Sequence, residues 1–140
     1  MGNSQSTQKI NYEDVQFVVN NSQTHLIINT LNESEQECLI INTMNIKNEE
    51  ALINRLIQTG NKNIKIIVYG RNCNDEKMYT KYNQLKSLGF YNVYVYAGGL
   101  FEWLMLQDIY GEKEFPTTKK ELNFLKYKPN KVLNIQLLEY

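Results

Sequence analysis

The sequence predicts a single α/β domain, with a mostly parallel central sheet and helices on both faces. Short runs of β-branched residues alternate along the chain with amphipathic stripes of helical period. The run from Ile64 to Tyr69 has the β-branched character of a central strand buried on both faces. The two clearest helical stripes each end at a glycine, Gly60 and Gly89, the residue that most readily closes a helix. A length of 140 residues suits one domain, and a hydrophobic content of 42% is enough to fill its core.

Residues 1–9 are polar and aperiodic, and read as a flexible tail without the apolar stretch of a secretory signal. From Asn11 onward, Tyr12, Val15, Val18 and Val19 fit a short helix, with Asn11 as its N-cap and Glu13 and Asp14 near its positive end. Leu26-Ile27-Ile28 and Leu39-Ile40-Ile41 are two strand candidates, and Glu33, Glu35 and Glu37 between them read as a solvated loop. Asn48-Glu49-Glu50 open a helix whose Leu52, Ile53, Leu56 and Ile57 make one apolar stripe. After the central strand, Met78, Tyr79, Tyr82, Leu85 and Leu88 mark the next helix. Val93 to Tyr96 is a further strand, and Gly98-Gly99 break it before a helix through Trp103, Leu104 and Leu106.

Composition removes several function classes. Fifteen basic and fifteen acidic side chains leave no net charge, against the basic footprint of a nucleic-acid-binding protein. No apolar run approaches the roughly 20 residues of a membrane span. Two cysteines, Cys38 and Cys73, make no disulfide framework and suit a reducing, cytoplasmic setting. His25 is the only histidine, no zinc-ligand spacing occurs, and neither a metal nor a cofactor is expected. His25 reads as structural, Cys38 as a small buried residue and Trp103 as core.

In parallel sheets ligands bind where strand carboxyl ends meet helix N-termini. The loop Gly70-Arg71-Asn72-Cys73-Asn74-Asp75-Glu76-Lys77 holds that position after the most buried strand.

Four stretches occur in a telling order: Leu26 to Leu31; Leu39 to Ile46, best at Asn45-Ile46; Ile67-Val68-Tyr69 before the loop; and Val93 to Gly99 with Trp103 and then Phe115-Pro116-Thr117. Together they resemble the rhodanese-like domain family over roughly residues 10–118. The resemblance implies a sulfurtransferase scaffold. In active members, a cysteine directly after the strand's tyrosine carries a persulfide cradled by the loop's N–H groups. That position is Gly70 here, so the nucleophile is missing from the focus of the anion cradle. The family's Asp and Arg after the first strand correspond to Asn29 and Leu31, and Asp75-Glu76 stand where a basic residue is common. Acidic groups there oppose a thiolate or a bound anion. Cys73 is a weak substitute nucleophile, with Arg71 or Lys77 to lower its pKa. A phosphatase would need an arginine six residues after it, and position 79 is Tyr79.

The ends carry two further features. Met1-Gly2-Asn3-Ser4-Gln5-Ser6 fits the N-myristoylation pattern, with Gly2 as the acceptor. Residues 119–140 read as an extension, an added helix and strand packing on the domain, with Lys119, Lys120, Lys126, Lys128 and Lys131 as a candidate membrane-facing patch. The leading expectation is a catalytically inactive rhodanese-like module that acts through an unknown protein partner and not through nucleic acid. It is cytoplasmic and not secreted, and is held to a cytosolic membrane face by myristate. The rivals are a divergent thiosulfate or persulfide sulfurtransferase using Cys73, and a soluble regulatory domain without lipid.

Overall fold

A computed structural model describes residues 6–133. Four parallel strands form the sheet: β1 (Lys9–Ile10), β2 (His25–Asn29), β3 (Lys65–Tyr69) and β4 (Val93–Tyr96), in the order β1-β4-β3-β2. Four helices connect and flank them: α1 (Tyr12–Val19), α2 (Ile46–Gln58), α3 (Glu76–Ser87) and α4 (Gly99–Tyr110). The strand β3 is flanked by β2 and β4, as its β-branched run predicts.

Side chains alternate across the sheet and so feed two cores. Ile27, Ile67 and Tyr69 face α1 and α4, meeting Val15, Val18, Leu100 and Trp103. Leu26, Ile28, Ile66 and Val68 face α2 and α3, meeting Ile53, Leu56, Met78 and Leu85. Trp103 is fully buried, and Cys38 nearly so. The α1 N-terminus is a full capping box: Asn11 Oδ1 accepts from the Asp14 N–H, and Asp14 Oδ2 accepts from the Asn11 N–H. His25 is structural, its Nδ1 within hydrogen-bonding distance of Asn21 O and Thr24 Oγ1.

Several expectations are corrected. Leu39-Ile40-Ile41 is buried but forms no strand, only an isolated bridge from Ile40 to Thr117. Its amides go instead to Thr118 Oγ1, Tyr69 Oη and Pro116 O, so the run is irregular backbone fixed by distant partners. The helix α2 begins at Ile46, earlier than Asn48, because Asn45 caps it through the Lys47 N–H. Strand β1 has only two residues and no periodicity to betray it. The loop 33–37 is not wholly solvated: Glu33–Glu35 form a 3-10 turn, and Glu35 pairs with Arg71. Among the described residues beyond 118, a 3-10 turn at Phe124–Tyr127 stands where a helix was expected, and the strand expected after it falls largely outside the described residues.

Candidate functional site

Tyr69 fixes the end of β3 and therefore the start of the loop. It is fully buried, its Oη accepts from the Ile40 N–H at 3.1 Å and bonds Thr43 Oγ1 at 2.8 Å. The loop then turns beneath the start of α4. The Leu100 and Phe101 amides donate to Gly70 O and Arg71 O, each at 2.9 Å. Gly99 makes this approach possible: its φ is +67°, and a Cβ there would lie 2.8 Å from Gly70 O.

Asp75 is the hub of the loop. As N-cap of α3, it accepts the Lys77 N–H on Oδ1 at 3.0 Å. Its Oδ2 accepts the Arg71 N–H at 3.0 Å and the Thr30 hydroxyl at 3.3 Å. A side chain at position 70 would collide with this carboxylate, whose Cβ lies 2.9 Å from the place of a Gly70 Cβ. The carboxylate thus stands in the space that a residue-70 side chain would fill, and it takes up a loop N–H that faces that space.

The other loop residues diverge in their roles. The Arg71 guanidinium pairs with Glu35, donates to Lys126 O and lies 5.1 Å from the centre of the Tyr127 ring. Asn72 is buried; its Oδ1 accepts the Asn74 N–H at 2.9 Å and its Nδ2 donates to Tyr127 O at 2.7 Å. Cys73 is exposed, and its Sγ has Asn74 Oδ1 at 3.7 Å as a hydrogen-bond acceptor. Lys77 Nζ donates to Asn32 Oδ1 at 2.8 Å, and Glu76 is exposed in the first turn of α3. Neither cation expected to activate Cys73 makes a hydrogen bond to it among the described contacts.

Beside the loop, Asn29 and Gln36 exchange two amide hydrogen bonds, at 2.9 and 3.1 Å, and Asn29 Oδ1 also accepts the Leu31 N–H. Leu31 itself is buried in the core below. The pair is neutral and Leu31 apolar, so neither Asn29 nor Leu31 brings a charge to the loop. Glu35, Gln36 and Tyr127 are site residues that sequence reasoning missed. Nothing in their local pattern separates them from the polar loop and basic tail around them.

The lysines of the tail are mostly engaged. Lys119, Lys120 and Lys126 pair with Glu37, Glu112 and Glu121 at 3.4, 3.5 and 2.7 Å. The hydrogen bond from Lys126 holds the Glu121 carboxyl below its ordinary value, and burial raises the Tyr127 phenol. Lys128 lines an open groove of about 520 Å³ beside Arg71 and Lys77, while Lys131 is exposed. Gly2 lies outside the described residues. Among the described residues, no helix is long and apolar enough to cross a membrane, and no group of three acidic, histidine or cysteine side chains is placed to hold a metal.

The model of the rhodanese-like domain family matches residues 14–106, well over half the chain. The chain belongs to the rhodanese-like domain family. Solved structures agree in fold. A rhodanese-like domain from Anabaena is 22% identical with a TM-score of 0.57, over 91% of this chain and 88% of that one. A yeast protein tyrosine phosphatase of the rhodanese family is 11% identical with a TM-score of 0.61, over 85% and 96%. The As–Sb reductase of Leishmania major is 19% identical with a TM-score of 0.54, over 76% and 81%. No curated protein matches the chain. Within a rhodanese-like domain, the Gly70–Lys77 loop is the one that the resemblance assigns to catalysis.

Proposed function

We propose that this rhodanese-like domain transfers no sulfur and acts by binding another protein. The observation that carries the reading is the Asp75 carboxylate standing where a residue-70 side chain would be, with glycine at position 70. Sulfur transfer needs a thiolate at the focus of loop N–H groups, and here that focus holds a fixed negative charge and no thiol. The phosphatase and reductase among its structural neighbours extend the fold's repertoire, but a reaction at this loop would likewise need a nucleophile there. Cys73 is the exposed thiol of the same loop, and this supports a divergent sulfurtransferase as the second reading. Its setting works against that reading, because Arg71 is committed to Glu35 and the tail.

Myristate on Gly2 completes the proposal by holding the domain at a cytosolic membrane face. One acyl chain gives an association constant on the order of 10⁴ per molar, so stable attachment needs a second signal. Lys128 and Lys131, with whatever charge Lys119, Lys120 and Lys126 retain beside their acidic partners, are the folded domain's contribution.

Two measurements test this. Thiosulfate–cyanide turnover of the wild type should equal that of Cys73→Ser; turnover that vanishes in the variant would establish the sulfurtransferase. In cells, Gly2→Ala should move the protein to the soluble fraction, and an unchanged distribution would remove the lipid anchor.

A further inference from the structure

The segment after residue 118 is held to the domain in an unusual way. Between Thr118 and Leu133, Tyr127 is the one buried residue, 2% exposed. Its ring enters the core beneath the loop, in the cluster with Cys38, Leu39 and Tyr69. Among the described hydrogen bonds, two tie residues 121–133 to the domain: Arg71 to Lys126 O and Asn72 Nδ2 to Tyr127 O. Both are read from main-chain carbonyls, which any sequence offers.

The receiving groups are held by the domain itself. Glu35 orients Arg71, and the Asn74 N–H orients Asn72. Lys119 and Lys120 pair with Glu37 and Glu112 where the segment begins, and the remaining bonds of residues 121–133 are their own. Lys126 pairs with Glu121, and the Lys128 N–H donates to Leu125 O at 3.1 Å. It is a short turn plugged in by the buried Tyr127 ring, with Phe124 packed half-buried against the same core. The groove of about 520 Å³ runs alongside, lined by Arg71, Asn74 and Lys77 on the domain side.

Two side chains that bond successive carbonyls, next to a pocket that swallows one aromatic ring, are the parts of a peptide-binding site. Main-chain bonds supply affinity and the pocket supplies selection. We propose that the face of the Gly70–Lys77 loop is a peptide slot, occupied in this chain by its own residues 121–128. A partner protein enters by replacing that turn with one of its own bearing a tyrosine. This rests on the reading that the domain acts by binding. The tethered turn competes at high effective concentration, so the partner's apparent affinity is its intrinsic affinity multiplied by the fraction of time the slot is open.

The test uses the full chain and a fluorescent peptide, Glu-Leu-Asn-Phe-Leu-Lys-Tyr-Lys-Pro-Asn, with the sequence of residues 121–130. Tyr127→Ala empties the pocket, and by anisotropy it should bind the peptide at least about tenfold more tightly than wild type. A peptide with alanine for its tyrosine should not bind, and adding Asn72→Ala to Tyr127→Ala should weaken binding. Thermal melts check that the variant is folded. If it is not, hydrogen exchange on wild type and Asn72→Asp takes its place. Amides of 124–128 should then exchange faster in Asn72→Asp while those of β3 are unchanged. No peptide binding by folded Tyr127→Ala, or exchange of 124–128 only together with β3, would overturn the slot. Thiosulfate turnover is measured on the same samples. Turnover would overturn the binding reading, whereas absent turnover with absent peptide binding would overturn the slot alone.

Discussion

Asp75 places one carboxylate on three donors: the Lys77 and Arg71 amides and the Thr30 hydroxyl. Negative charge is favoured at a helix N-terminus, so the start of α3 helps to hold this group in place. Introducing a thiol at position 70 alone should therefore fail on steric as well as electrostatic grounds. Gly70→Cys is expected to take up no sulfur from thiosulfate, because its Cβ would overlap Asp75. Gly70→Cys combined with Asp75→Gly, which removes the Cβ as well as the carboxylate, should gain a one-sulfur adduct, at a stability cost of about 1 kcal/mol for the lost cap and the freer backbone. Intact-mass measurement reads both, and an equal adduct on the single variant would contradict the role given to Asp75. Sequence alone treats Asp75 as a repulsive neighbour of the loop; its occupation of the residue-70 space depends on how the chain closes over Gly70.

The loop keeps its shape because the start of α4 lies against it. Gly99→Ala forces a side chain onto a φ of +67° and 2.9 Å from the Asn72 N. The expected cost is about 2–4 kcal/mol, read by urea unfolding; a loss under about 0.5 kcal/mol would show that the contact is loose. Elements of this kind were legible where periodicity was sustained. The helices α1 to α4 and the strands β2 to β4 each bury a stripe or a whole run, and the stripe is written in the residue order. The edge strand β1 is too short to carry a pattern. Leu39-Ile40-Ile41 carries the pattern of a strand, yet its partners are Tyr69, Pro116 and Thr118, and no local signal reports contacts so distant. The turn at Phe124–Tyr127 is likewise fixed by Arg71 and Asn72, over fifty positions away in sequence.

Across the whole molecule, burial leaves several weak acids with raised pKa values. The Cys38 thiol is pushed up to about 11 by desolvation, and burial likewise raises the Tyr69, Tyr96 and Tyr127 phenols. In the unfolded chain these groups ionise near their ordinary values of 9.0 and 10.0. From about pH 9 upward the unfolded state therefore binds fewer protons than the folded one, and stability falls as pH rises. A tenfold weakening of an acid on folding corresponds to about 1.4 kcal/mol of stability that high pH removes. Melting temperature should hold between about pH 7 and 8 and fall steeply by about pH 10.5; an unchanged value at the higher pH would contradict the burial of these groups. Of the site, the place of the loop between β3 and α3 was legible from residue order. The bonds that close the site come from Thr30, Glu35 and Tyr127, which only the fold brings together. The central claim, a loop already filled by its own carboxylate, is tested most directly at the Arg71 amide. Its NMR resonance should stay fixed as thiosulfate is added to wild type, and shift saturably in Asp75→Ala. A saturable shift of the wild-type resonance would contradict the account.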